Sequence, residues 1–183
     1  MNKNKFFRQF HIYLSLFFLP CAFIFALTGI AYIFGINQDI GLEKQIYTLN
    51  ERIEKGQEIE KLLDFLKDNN IKIPSNTQAI KSKDKGITIG STHYSVSIAE
   101  NGENQYQITT KTRSFLGDLI MLHKDKGAWY FSVLSVGFGV SLFLLYISGL
   151  MITLFASKKD RKNQILVLIA GILITFILAY ISL

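Results

Sequence analysis

The stretch AWYFSVLSVGFGVSLFLLYISGLMITLFA, residues 128–156, runs for 29 positions without an Asp, Glu, Lys or Arg. A helix needs roughly 20 apolar residues to cross a hydrocarbon core about 30 Å thick. A helix buried in a soluble core rarely stays free of charge for so long. The stretch therefore reads as a membrane span. Two further blocks share its character. Residues 11–36 hold Leu14, Leu16, Phe17, Phe18, Leu19, Phe23, Ile24, Phe25, Leu27, Ile30, Ile33 and Phe34, with no Asp, Glu, Lys or Arg before Asp39; residues 165–183 are likewise uncharged. The expected fold class is a membrane protein of three transmembrane α-helices. Residues 37–127, between the first and second, form a small extracytoplasmic α+β domain.

Charge orients the spans. The basic tail 1–10 carries Lys3, Lys5 and Arg8, and the turn 157–164 carries Lys158, Lys159, Arg161 and Lys162 against Asp160, so each is net +3. Residues 37–127 hold 13 basic and 13 acidic side chains and add nothing to the total of +6. Short flanks rich in Lys and Arg stay in the cytoplasm. The N-terminus and the turn are thus expected inside, and residues 37–127 and the C-terminus outside. The basic balance is a topology signal and excludes a nucleic-acid surface, because neither cluster is interleaved with base-stacking aromatics. The first block exceeds the apolar core of about 7–15 residues in a cleaved signal peptide, and no small-x-small site follows it. It is read as an uncleaved anchor. Pro20 lies mid-span and is expected to bend the helix. Cys21, the single cysteine, lies inside a span, forms no intrachain disulfide or zinc cluster, and reads as a small packing residue.

The outer segment has the patterns of a folded domain. Over residues 58–69, Ile59, Leu62, Leu63 and Leu66 follow the i, i+3, i+4, i+7 spacing of an amphipathic helix. Residues 71–73 read as a short strand stopped by Pro74, and residues 87–89 alternate with period two. Apolar parity then switches from odd to even across residues 90–93, which requires a bulge or a turn. Residues 94–110 read as a hairpin. A three-residue loop, Glu100-Asn101-Gly102, would match the two apolar faces and set Val96 opposite Tyr106. Residues 114–123 read as a short interfacial helix leading into the second span, with Trp129 and Tyr130 in the aromatic belt. One helix and several antiparallel strands make a small α+β layer.

Residues able to carry chemistry are few. No glycine-rich phosphate loop, catalytic carboxylate pair or serine triad can be assembled. His11 opens the first span and His123 precedes the second. Each is either an interfacial histidine with a wet tip or an axial ligand to haem iron, imidazole being the usual ligand of membrane b-type haem. On the expected topology the two stand at opposite membrane faces, roughly 25–30 Å apart, and cannot ligate one iron. A bis-histidine site would need a second copy of the chain or another subunit; a five-coordinate site needs neither. His93, in the parity break, reads as a loop or surface residue. Gly29, Gly137, Gly139, Ser148 and Gly149 allow close helix approach or make room for a flat macrocycle.

Taken in order, the span-end motifs resemble the PepSY-associated transmembrane family. They are Arg8-x-x-His11 opening the first span and Leu27-Thr28-Gly29 near its outer end. Leu122-His123 follows ahead of the second span, which Ile147-Ser148-Gly149-Leu150 and Lys158-Lys159 close. The resemblance covers most of the chain. It implies that residues 37–127 form a short PepSY-like domain and that the protein lies in the bacterial inner membrane. It also implies that His11 and His123 correspond to the family's span-end histidines. Some longer members are reductases that bind b-type haem and reduce iron released from siderophores. Here Ser15 stands four residues after the first histidine, where the family usually has Gly. The reductase-type members usually have more than three spans.

Two readings follow. In the first, His11 and His123 hold haem b and pass electrons outward to ferric iron or another periplasmic acceptor. In the second, the chain is a non-enzymatic anchored module or accessory subunit. Its outer domain would bind a protein or peptide, for example by adding a strand to an edge of the 94–110 hairpin. Expected partners are the lipid bilayer, a second copy or another membrane subunit, and a periplasmic protein.

Overall fold

The computed structural model describes residues 3–54, 56–81, 86–102, 104–156 and 160–183. Lys158 and Lys159 of the basic turn lie outside the described residues. In chain order the elements are α1 (Lys3–Ile33), β1 (Glu43–Leu49), α2 (Glu58–Asp68), β2 (Ile80–Lys81), β3 (Ile87–Gly90), β4 (Tyr94–Glu100), β5 (Tyr106–Thr112), α3 (Phe115–His123), α4 (Trp129–Leu150), a π-helical segment (Met151–Ala156) and α5 (Arg161–Ser182). They form two compact units, one of Met1–Phe23 with Val133–Leu183 and one of Ile24–Ser132.

Three helices among the described residues are long and apolar enough to cross a membrane: Lys5–Ile33, Trp129–Thr153 and Arg161–Ser182. They coincide with the three uncharged blocks. α1 begins earlier than the block, inside the basic stretch, and runs on through Pro20. It ends at Gly35, whose φ of 76° lets the Ile36 and Gly35 N–H groups donate to the Ala31 and Tyr32 carbonyls. In the first unit, the Phe18 and Phe138 rings pack at 6.0 Å. Gly137 faces Phe18, whose ring lies 3.5 Å from its Cβ position, an ordinary contact distance. Cys21 and Phe138 are buried, whereas Phe17, Phe143 and Phe176 are exposed. Cys21 is thus the packing residue expected. A helix apolar all round, with its large side chains turned outward, suits lipid rather than water.

The second unit holds a five-stranded antiparallel sheet in the order β1-β5-β4-β3-β2. α2 covers one face. Its Leu62 and Leu66 are fully buried against Ile53, Ile89, Val96, Ile98 and Ile108. The amphipathic spacing thus placed the helix correctly. The expected strand at residues 71–73 is absent. Asn70 takes φ 53° and caps α2, and the Ile71 N–H donates to the Leu66 carbonyl. Ile71 is consumed by the helix end and packs on the core. The parity switch is a turn: Gly90 has φ 113°, and the Ser91 N–H donates to the Tyr94 carbonyl.

The hairpin exists, but its register differs from the expected one. β4 and β5 pair Val96 with Thr110 and Glu100 with Tyr106. The loop between the strands spans residues 101–105, with Gly102 and Asn104 at positive φ. The longer loop sets Ile98 directly opposite Ile108, both buried. Pairing two buried isoleucines outweighs the shorter turn. Both hairpin strands are interior, since β1 covers β5 and β3 covers β4. The free edges belong to β1 and β2, so the 94–110 hairpin offers no edge to a partner strand.

Candidate functional site: two clasped histidines

The short motifs of the sequence meet in pairs. In the first unit, His11 on α1 places its Nδ1 2.9 Å from the Ser148 hydroxyl on α4. Ser148 is 2% exposed, and its hydroxyl donates to the Leu145 carbonyl at 3.0 Å. A hydroxyl has one hydrogen to give. With that hydrogen on the carbonyl, the oxygen accepts and His11 Nδ1–H donates. Gly149 follows, and a Cβ built there would sit 3.7 Å from His11 Cε1. That is an ordinary contact distance, so a small side chain would also fit beside the imidazole.

The second unit repeats the device with the partners exchanged. Thr28, 1% exposed, is on α1 and His123 ends α3. The Thr28 hydroxyl donates to the Ile24 carbonyl at 2.5 Å, and His123 Nδ1 lies 2.6 Å from the same oxygen. By the same count Nδ1–H donates. Gly29 lies beside it, with its Cβ position 4.0 Å from His123 Cε1. The Phe25 ring packs on the imidazole at 4.6 Å between centroids.

α3 is held so that its last residue reaches Thr28. Ser114 caps its start by accepting from the Gly117 N–H, and the same hydroxyl donates to the Ile40 carbonyl. A Cβ on Gly117 would come 2.8 Å from the Gln38 carbonyl, so only glycine allows α3 this approach. Its end is closed by Asp125 at φ 56°, with the Lys126 N–H donating to the Met121 carbonyl.

Assigned from these contacts, Nδ1 of each histidine donates its N–H to a buried hydroxyl, and Nε2 takes no part in the clasp. A fixed donor on one nitrogen and a free lone pair on the other is the arrangement of a metal-ligating imidazole. Each of His11 and His123 thus has its Nε2 uncommitted by the clasp. Among the described residues, no group of three His, Cys, Asp or Glu could hold a free metal ion.

His93 lies in the β3–β4 turn, exposed as expected. Its Nδ1 meets Asp118 Oδ2 at 2.6 Å, tying the turn to the first turn of α3, a contact that nothing in the sequence pattern announced. On the α2 side of the sheet a cleft of about 400 Å³ lies between Glu43, Tyr47, Lys72, His93 and Tyr94. The Tyr94 hydroxyl donates to the Lys72 carbonyl at 2.6 Å. Burial, with a smaller effect from Tyr47, raises its pKa above the usual value. No family model, curated protein or solved structure matches the chain.

Proposed function

We propose that this is a multi-pass membrane protein of the PepSY-associated kind, in which His11 and His123 are axial ligands to b-type haem at two separate sites. The observation that carries the reading is the repeated hydroxyl-glycine clasp, which fixes Nδ1–H and frees Nε2 on both imidazoles. Ser148 and Thr28 hold the ring orientation, Gly149 and Gly29 lie beside the imidazole edges, and Phe25 packs on one ring. A second ligand at either site, where one is needed, would come from a second copy of the chain or another membrane subunit. A haem held there would supply one-electron chemistry, and ferric iron or another extracytoplasmic acceptor is the proposed destination of the electron. The location is the bacterial inner membrane, with the basic flanks inside and the sheet domain outside.

Two measurements test this. The chain is expressed with added haem and purified, and its absorption is recorded for the wild type, His11→Ala and His123→Ala. A Soret band that falls stepwise in the single variants supports the assignment; its absence from the wild type ends it. A topology reporter fused near residue 80 should behave as extracytoplasmic, and a cytoplasmic signal would reverse the orientation.

A second reading has its own observation. β1 is a seven-residue strand on a free edge, so a partner peptide could extend the sheet there. Photocrosslinking from Ile46, which is exposed, would then trap a partner, and a Pro substitution in β1 would abolish the product.

A further inference from the structure

We propose that the groove between the sheet and the α3–α4 elbow binds the anionic headgroup of an amphiphile, whose apolar tail lies against the elbow. The groove encloses about 740 Å³ and lies wholly within the second unit. Its sheet side, on the face that α2 leaves uncovered, includes the hydroxyls of Thr88 and Ser95. Its other side is apolar, with Leu122 from α3 and Phe131 from α4. Arg113 and Lys126 line it, and no Asp or Glu stands among the described lining residues.

Arg113 carries the argument furthest. Its Nη1 donates to the Thr92 carbonyl at 2.6 Å, which fixes the guanidinium. Its Nε is buried and has no hydrogen-bond partner. A charged donor without an acceptor is among the costliest groups to bury. Nε itself is shielded from any water-sized group, so an anionic oxygen in the groove would meet the charge of the guanidinium rather than this donor, and Lys126 would add a second positive charge. Free phosphate would serve Arg113 equally well but would leave Leu122 and Phe131 facing water. An amphiphile satisfies both sides. α4, which starts at Trp129, is one of the three helices apolar enough to span a membrane. A lipid alongside it would present its head near the Trp129–Tyr130 belt. The inference rests on α4 lying in a bilayer and is independent of the haem assignment.

The test uses the full-length chain in a non-ionic detergent. Binding of short-chain phosphatidylglycerol is compared with that of phosphatidylcholine of the same chain length, with inorganic phosphate as competitor. The expected result is preference for phosphatidylglycerol. Arg113→Gln and Lys126→Glu should each weaken that binding about tenfold or more, as removing or reversing a positive charge beside the headgroup would, and weaken phosphatidylcholine, whose choline offsets its phosphate, by less. Lys126 is exposed, so its variant folds even if loss of the Arg113 contact disturbs the turn. Equal binding of the two lipids, or unchanged phosphatidylglycerol affinity in the Lys126 variant, overturns the proposal. Displacement by phosphate at the lipid's own affinity also overturns it, in favour of a free-phosphate site. Loss of α4 from the bilayer in a reporter assay would instead locate the failure in the membrane reading.

Discussion

Thr28→Val isolates the clasp around His123. Valine keeps the branched shape and removes only the hydroxyl, so His123 Nδ1–H loses its acceptor. Thr28 is 1% exposed and the contact measures 2.6 Å, which leaves little room for water to replace it. A net hydrogen bond contributes about 0.5–1.5 kcal/mol in general, and an orphaned buried donor costs about 1–3 kcal/mol. Measured couplings between polar side chains in membrane helices are lower, averaging about 0.6 and reaching about 1.7 kcal/mol. His123 is half-buried, so the coupling expected for this pair is about 1 kcal/mol. The assay is a double-mutant cycle of Thr28→Val and His123→Phe in the full chain. Denaturation in mixed micelles is followed by the fluorescence of Trp129, the single tryptophan. A coupling within about 0.3 kcal/mol of zero, the scatter of independent sites, would refute the clasp. If haem binds, Thr28→Val should also lower its affinity about 10–100-fold, the usual effect of removing the partner of a ligating histidine. Unchanged haem affinity would show that Thr28 does not set the tautomer.

Four other outcomes are expected. Leu62→Ala, at a position 0% exposed in the α2–sheet core, should cost about 2–5 kcal/mol, read as a lowered denaturation midpoint. Gly90→Ala should cost about 1–3 kcal/mol, because Gly90 holds φ 113° and a Cβ there would collide with the Tyr94 carbonyl; the midpoint again measures it. Lys111→Glu should stabilise the sheet by about 0.2–1 kcal/mol, because Lys44 and Lys111 stand directly opposite each other; the gain should shrink as salt is raised. Tyr94 has a raised pKa, so the fold favours its protonated form. The stability this contributes is complete below the ordinary pKa of 10.0 and is lost as pH rises through the higher folded value. A pH series of denaturation midpoints should therefore fall less steeply above pH 10.0 in Tyr94→Phe than in the wild type.

Features that repeat locally were readable in the sequence; those that depend on distant pairing were not. The three long helices follow from the absence of charge, and α2 from one apolar stripe. The 94–110 hairpin shows why parity is weaker than register. Parity fixes which side chains share a face, but every shift by two residues satisfies it, and the shortest loop was the wrong one. β1 went unread because an edge strand buries little. Glu43, Lys44 and Gln45 are exposed and leave no alternation to detect. The span-end histidines were legible as residues, whereas their partners lie 137 and 95 positions away, beyond any periodicity.

The paired contacts also account for the spacing of the motifs. Ser148-Gly149 and Thr28-Gly29 each set a buried hydroxyl one residue before a glycine, and each pair receives one imidazole. Close helix approach alone would explain the glycines; each hydroxyl already donates to a carbonyl of its own helix, which leaves its oxygen able to accept from the imidazole. Cross-linking of helices alone would explain the hydroxyls, and it needs only Nδ1. Two imidazoles whose Nδ1 is pinned the same way share one further property, an Nε2 lone pair that the clasp does not use. A clasp built only to hold helices together could as well be made with asparagine or glutamine. Histidine at both places adds a ring nitrogen beyond the one the clasp uses, and the proposed haem ligation rests on that nitrogen.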